Sequence, residues 1–260
     1  MAGSERYAAV GEDPSAVLER ERRFFDRLVA DHGEFNPFAD RGWETLRRRF
    51  TDLASPRLTD ALLDIGCGTG QSRRVSAGLV GRYVGVDLSP AVVEAARTVF
   101  PDDDWHVADA CRLPFPNESF DLVAFSSVLH HIPDFGPAVR EAFRVLRPGG
   151  RAFAFDPNVW HPAMALFRHP SSPLYVAQGV SPNERPLRPV SLRRAFAAAG
   201  LVDIRQRCQS DIPYRRVAPR LINAFLSVYN AVDWVWERVG LGRVFGTFVL
   251  TCGTKPVSTP

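Results

Sequence analysis

The segment LLDIGCGTG (Leu62–Gly70) constrains the chain more than any other. A short apolar run, Ala61–Ile65, carries Asp64 near its end and passes directly into three alternating glycines, Gly66, Gly68 and Gly70. Glycine lets the backbone turn sharply and lets a ligand approach without a side chain in the way. The segment reads as a strand joined by a ligand-accessible loop to a helix over Gln71–Leu79. Short apolar runs and helical stretches then alternate. Strands are expected at Tyr83–Val86, His106–Ala108, Phe120–Ser126, Ala152–Phe155, Leu201–Arg207 and Phe248–Cys252. Between them, Ser89 caps a helix with Pro90 at its first position, running to Phe100. A helix over Phe135–Leu146 stops at Pro148-Gly149-Gly150, and one over Ser191–Ala199 closes at Gly200. Alternation of this kind predicts an α/β fold: a doubly wound, mostly parallel sheet of seven strands with helices on both faces.

Three segments stand outside that rhythm. Residues 1–55 read as a helical cap, with apolar positions Val17, Leu18, Phe24, Phe25, Leu28 and Val29 at near-helical spacing. After a break at Asn36-Pro37, the cap resumes with Trp43, Leu46 and Phe50. Residues 157–190 form a proline-rich insertion containing Trp160, His161, His169 and Tyr175, long enough to act as a lid. A second insertion, 209–243, holds a helix at about 218–239. One domain, 1–260, is expected, with a cofactor-binding half at 56–156 and a substrate-side half at 157–260.

Composition excludes several classes. The start of the chain has no apolar core with a cleavage site, and Leu221–Val232 is far shorter than the roughly 20 residues a membrane span needs. A cytoplasmic location without membrane association is expected. Cys67, Cys111, Cys208 and Cys252 are scattered, which argues against a zinc site or a disulfide framework. A net charge of +3 is too weak to imply nucleic acid. Its distribution is uneven: residues 1–150 hold 18 basic and 23 acidic side chains, and residues 151–260 hold 14 and 6. The basic C-terminal part suits either an anionic partner or a solvated face.

The glycine loop fits neither of two common phosphate-binding patterns. G-x-G-x-x-G fails because its sixth position is Gln71, and the P-loop fails because the only lysine is Lys255. The D-x-G-x-G-x-G spacing resembles the first motif of class I S-adenosylmethionine-dependent methyltransferases. The resemblance continues through VGVDLSP (Val84–Pro90), VADACRLPFPNESFDLV (Val107–Val123), FSSVLHHI (Phe125–Ile132) and LRPGG (Leu146–Gly150). It is nearest to the small-molecule enzymes of ubiquinone and menaquinone biosynthesis. It implies a Rossmann-like fold with an antiparallel last strand and S-adenosylmethionine as cofactor. It also implies a set of cofactor contacts: Asp64, Gly66, Cys67, Gly68 and Gly70 in the loop, Asp87 and Leu88 at the ribose, Asp109 and Ala110 at the adenine, and Ser126 beside the methionine part. Asp64 fits two roles there, contacting the methionine amino group or bracing the loop.

His130 and His131 are the candidate general bases, because the turn that bears them borders the cofactor's reactive end; His130 is favoured. Asp156, Asn158, His161 and His169 are candidate acceptor contacts. No metal is expected. The helix RLINAFLSVYNAVDWVWERV (Arg220–Val239), with Phe225, Tyr229, Trp234 and Trp236 and the basic neighbours Arg215, Arg216 and Arg220, reads as a lid or buried helix. Lining an apolar or aromatic acceptor pocket, forming a dimer contact and lying on a membrane surface are its other roles. The expected function is methyl transfer to a small-molecule acceptor that is apolar, aromatic or anionic. Oxygen is the favoured target, with nitrogen and carbon as alternatives. A cofactor-binding protein without transfer activity is the rival reading. An arginine-to-lysine ratio of 31 to 1 suggests a GC-rich bacterial gene and specialised metabolism.

Overall fold

A computed structural model describes residues 13–33, 36–175, 180–213 and 220–257. Residues 1–12 of the cap, Arg215, Arg216 and the side chains of Arg220 and Phe225 lie outside the described residues. Two helices come first, α1 (Pro14–His32) and α2 (Asp40–Ala54). Then β1 (Ala61–Ile65), α3 (Arg73–Ser76), β2 (Arg82–Asp87), α4 (Pro90–Val99) and β3 (Asp104–Val107) follow. After them come β4 (Phe120–Ser126), a 3-10 turn at Leu129–His131, α5 (Gly136–Val145) and β5 (Leu146–Pro157). The chain closes with α6 (Pro162–Phe167), α7 (Pro189–Ala198), β6 (Val202–Gln209), α8 (Arg220–Arg238), α9 (Gly242–Phe245) and β7 (Phe248–Thr254).

The seven strands form one sheet in the order β3-β2-β1-β4-β5-β7-β6. β1 to β5 run parallel, and β7 lies antiparallel between β5 and β6. Period-two alternation sends Leu63, Ile65, Val123 and Phe125 to one face, into a buried cluster shared with Ala138 and Val139 of α5 and with Leu192 and Phe196 of α7, which packs on β6 and β7. Leu62, Leu122, Phe153 and Phe155 point the other way, onto Trp43, Leu46 and Phe50 of α2 and Val93 of α4. Each large side chain fully buried in this way contributes about 1.5–3 kcal/mol. The apolar spacing of Trp43, Leu46 and Phe50 therefore makes α2 a permanent layer of the sheet; Leu46 and Phe50 are wholly buried.

Local differences from the sequence expectations have local causes. The helix expected at Gln71–Leu79 shrinks to Arg73–Ser76, because the glycine loop continues as turns through Ser72 and Gly78 adopts a φ of 69°. The strand expected at His106–Ala108 runs instead over Asp104–Val107, paired with Val84–Asp87. Leu146–Gly150 is not a free turn. Phe120 pairs with Leu146 across a bulge, and Gly149 and Gly150 exchange backbone hydrogen bonds with Lys255. Among the described residues, no helix is long and apolar enough to cross a membrane.

Candidate active site

The strand order reverses between β1, which continues towards β2 and β3, and β4, which continues towards β5. Loops leaving adjacent parallel strands in opposite directions open a crevice at their carboxyl ends, where α/β sheets bind ligands. The loop after β1 carries the three glycines, and the turn after β4 carries both histidines. Gly66 has a φ of 73°, and a Cβ there would lie 2.4 Å from the Val128 Cβ. No larger residue fits between the two loops. Gly68 has a φ of 55°, and a Cβ there would meet no atom within 4 Å. Its backbone borders open space, as close approach by a ligand requires.

Asp64 is 2% exposed and holds this loop from below. It accepts hydrogen bonds from Tyr83 (2.6 Å), Ser72 (2.7 Å) and Ser126. Three hydroxyl donors brace the loop through its carboxylate, which by the count of about four acceptor sites keeps one more. Burial pushes its pKa up against those bonds. Cys67 turns its side chain into the core, where its sulfur lies 3.1 Å from the position a Gly85 Cβ would take. Only its backbone is left to face the crevice, and burial raises its thiol well above the ordinary value.

Asp87 ends β2 half-buried, with Leu88 half-buried beside it. One Asp87 oxygen accepts the Gly68 N–H (3.1 Å) and the other the Ser89 N–H (3.1 Å). Burial raises its pKa while these bonds oppose the shift. A carboxylate offers about four acceptor sites, so two remain for a ligand's hydroxyls. Asp109 follows β3, turning its carboxylate onto the Cys111 N–H (2.8 Å), with the half-buried Ala110 between them. The cap reaches the same end of the sheet: Asp26 of α1 accepts the Ser89 hydroxyl at 2.6 Å.

Each histidine of the turn is paired with its own carboxylate. His130 Nδ1 lies 2.9 Å from Asp156 Oδ1 at the end of β5, and the same oxygen accepts the His130 backbone N–H. Burial drives the His130 pKa well below its ordinary value, and the neighbouring His131 adds to this; burial raises Asp156 to about 8. His131 Nδ1 lies 2.9 Å from Glu21 of α1 and 2.8 Å from Ser181. Burial alone would lower His131, but the Glu21 bond and charge, with Glu184 and Asp156, outweigh it and raise the pKa. Glu21 also accepts the Ser181 hydroxyl and the Asn183 N–H, so one buried carboxylate ties α1 to the first insertion and to the turn after β4. The two imidazoles pack with centroids 3.9 Å apart. The turn itself is held in a strained conformation, Ser127 having a φ of 55°. His130, His131 and Glu184 offer ligand atoms within 4.8 Å of one another, a donor grouping that sequence spacing does not suggest.

The other candidates separate. Asn158 is fully buried, donating to the Gly246 carbonyl (2.8 Å) and accepting the Trp160 N–H, so it anchors the insertion instead of facing an acceptor. His161 is buried between Tyr229 and Trp236, and burial lowers its pKa to about 4. His169 takes part in a local turn, accepting the Ser171 N–H. Glu21, Tyr83, Ser72 and Ser181 were not legible as site residues. The one signal for Glu21 is its place four residues after Val17 on the apolar stripe of α1, where an unpaired charge would be costly.

Residues 63–154 match the family described as "Methyltransferase domain". A demethylmenaquinone methyltransferase of Symbiobacterium thermophilum is 31% identical over 161 residues, 57% of this chain and 64% of that protein. A 27-O-demethylrifamycin SV methyltransferase of Amycolatopsis mediterranei is 42% identical over 113 residues, 41% of this chain and 42% of that one. A 2-phytyl-1,4-naphthoquinone methyltransferase of Thermosynechococcus vestitus is 34% identical over 176 residues, 65% of this chain and 74% of that one. The chain thus spans less than two thirds of the first two relatives. Among solved structures, Haemonchus contortus phosphoethanolamine N-methyltransferase 2 superposes with a TM-score of 0.63 at 21% identity, covering 91% of this chain and 60% of that one. The [4+2]-cyclase SpnF superposes with a TM-score of 0.62 at 19% identity, covering 93% and 97%. Both show the shared fold.

Proposed function

The chain belongs to the class I S-adenosylmethionine-dependent methyltransferases of the ubiquinone/menaquinone biosynthesis type, and on that premise we propose that it methylates a small-molecule acceptor at oxygen. The observation that carries this reading is the crevice itself. Gly68 borders open space, and Asp87 and Asp109 stand at the ends of β2 and β3 beside it. Those groups fit the cofactor: two free acceptor sites on Asp87 suit a ribose diol, and glycine backbone suits the methionine part. Leu88 and Ala110 would flank the nucleoside, and Ser126 would act through Asp64. When bound, the cofactor supplies an electrophilic methyl carbon, so the protein's main contribution is alignment, worth up to about 7–11 kcal/mol.

A hydroxyl acceptor must also lose a proton, and a positioned base adds roughly 10²–10⁴-fold. His131 is the better base of the pair. Its side chain is 15% exposed against 6% for His130, and Glu21 holds its Nδ1, leaving Nε2 to face an acceptor proton. His130, fixed by Asp156, then positions its neighbour. In this reading residues 56–156 hold the donor and residues 157–260, with the insertions 157–190 and 209–243, surround the acceptor. Helix α1 of the cap borders both, supported by the Asp26 and Glu21 contacts. Relatives named for a quinone and for a rifamycin favour a large, apolar or aromatic acceptor. The chemistry needs no metal, so dialysis against EDTA should leave turnover unchanged.

A second reading is cofactor binding without transfer, for which the [4+2]-cyclase SpnF, of the same fold, is the parallel. Thermal shift with S-adenosylmethionine, S-adenosylhomocysteine, NAD and NADP tests the first step. A ligand at 100 times its Kd stabilises by about 2.7 kcal/mol. Mass spectrometry of quinols and polyketide phenols incubated with the enzyme and cofactor tests the second. Gain of one methyl group establishes transfer. Binding with no methylation of any acceptor supports the cyclase-like alternative, and a shift with NAD alone refutes the assignment.

A further inference from the structure

Helices α8 and α9 present an outer face that neither the sheet nor the crevice uses. Val232, Trp234 and Val235 on α8, Val239 just past its end, and Val244 and Phe245 on α9 are 40–61% exposed. Steps of three and four residues place Val232, Val235 and Val239 on one stripe, and a groove lined by Ala231, Val232, Val235 and Trp236 runs along it. The charges around the stripe are sorted by sign. Asp233 turns inward, 2% exposed, and accepts the Asp211 N–H (2.6 Å) and the Thr247 hydroxyl (2.5 Å). Glu237 folds back against Gly242, its Oε2 lying 2.6 Å from where a Cβ would stand. Arg238 and Arg243 turn outward, the Arg238 guanidinium stacking on the Trp234 ring at 4.1 Å. Over the described residues 229–246, every exposed charge is positive.

We propose that this face docks on an anionic lipid surface, with α8 and α9 lying in the headgroup plane. A valine stripe bordered by Arg238, itself stacked on Trp234, with the acidic side chains buried or half-buried, is the make-up of an interfacial helix. Anionic headgroups neutralise Arg238 and Arg243 while the valines and phenylalanine enter the acyl boundary. No described helix crosses a membrane, so the contact is peripheral. A second copy of the chain offers this face no acidic counterpart: a two-fold contact would bring together two faces whose exposed charges are positive. Docking of this kind holds whatever the methyl acceptor is.

Flotation of the full chain with phosphatidylcholine vesicles, and with vesicles also containing phosphatidylglycerol, tests the proposal. The protein should float with the second and stay behind with the first. Each arginine near an anionic surface is worth about a fivefold gain in partitioning, so Arg238→Ala with Arg243→Ala should lower binding roughly 25-fold. Val235→Asp, which puts a negative charge on the stripe, should abolish flotation. Thermal melts and S-adenosylhomocysteine binding establish that each variant is folded. Flotation with neither vesicle, equal flotation with both, or undiminished flotation of Val235→Asp would overturn the proposal. So would a dimer seen by light scattering without lipid that Val235→Asp dissociates, since the face would then be a contact between copies.

Discussion

Replacing Glu21 by glutamine keeps the shape of a buried side chain while removing its charge. Glu21 is 5% exposed and serves three partners at once: His131 Nδ1, the Ser181 hydroxyl and the Asn183 N–H. The glutamine oxygen can keep the Asn183 N–H while its NH2 donates to the Ser181 oxygen in place of the accepted bond, so the loss is centred on the charge-assisted bond to His131. Hydrogen bonds to charged groups contribute about 1.5–3 kcal/mol. For a domain of this size each kcal/mol moves Tm by roughly 2–4 °C, so Glu21→Gln should lower Tm by roughly 3–12 °C. The loss should depend on pH in a defined sense. His131 has a folded pKa raised above its ordinary 6.5. Its pairing therefore contributes stability that is full below pH 6.5 and fades as pH rises through the raised folded value. Urea denaturation of both proteins from pH 6 to pH 9 should show a gap that is widest at pH 6 and narrows upward. A gap independent of pH, or a variant as stable as the parent throughout, would refute the charge pairing.

Other changes have equally definite expectations. Asp87→Ala should weaken S-adenosylhomocysteine binding by about 10–100-fold in calorimetry, since it removes the carboxylate that also holds the Gly68 N–H. Gly66→Ala should cost about 2–4 kcal/mol in chemical denaturation, combining a left-handed φ of 73° with overlap onto Val128. Asp156→Asn should flatten the pH dependence of stability. With its folded pKa at about 8, Asp156 contributes stability below its usual 3.8 that is lost as pH rises towards 8. Amide replacement removes that titration, so the variant should gain on the parent across the upper part of the range; parallel curves would exclude the assignment.

Much of the framework is legible because it rests on local pattern. The apolar runs at Ala61–Ile65 and Phe120–Ser126 match β1 and β4 end for end, and Ser89 caps α4 through the Val92 N–H as its position before Pro90 predicts. The glycine spacing marks the crevice loop, because no other residue tolerates both its φ angles and the closeness of Val128. Boundaries were less legible where a long-range partner fixes them. Leu146–Gly150 carries a turn signature, yet it pairs with Phe120 and Lys255, residues that no local window includes. Asn158 has the composition of a binding residue and is spent on the Gly246 carbonyl, 88 positions away.

The sequence by itself determined the α/β sheet and the glycine loop, because periodicity and glycine stereochemistry act over a few residues, and its resemblance to a known family carried the cofactor class and the places of Asp87 and Asp109. Only the tertiary structure decided how the ionisable groups are shared out. It gave Asp64 to three hydroxyls, His130 to Asp156, and His131 to Glu21, 110 positions earlier in the chain. It also buried Asp233 and folded Glu237 against Gly242 while leaving the apolar stripe of α8 outside. A buried charge must find its partner in three dimensions or be expelled, and sequence spacing records neither the partner nor the burial.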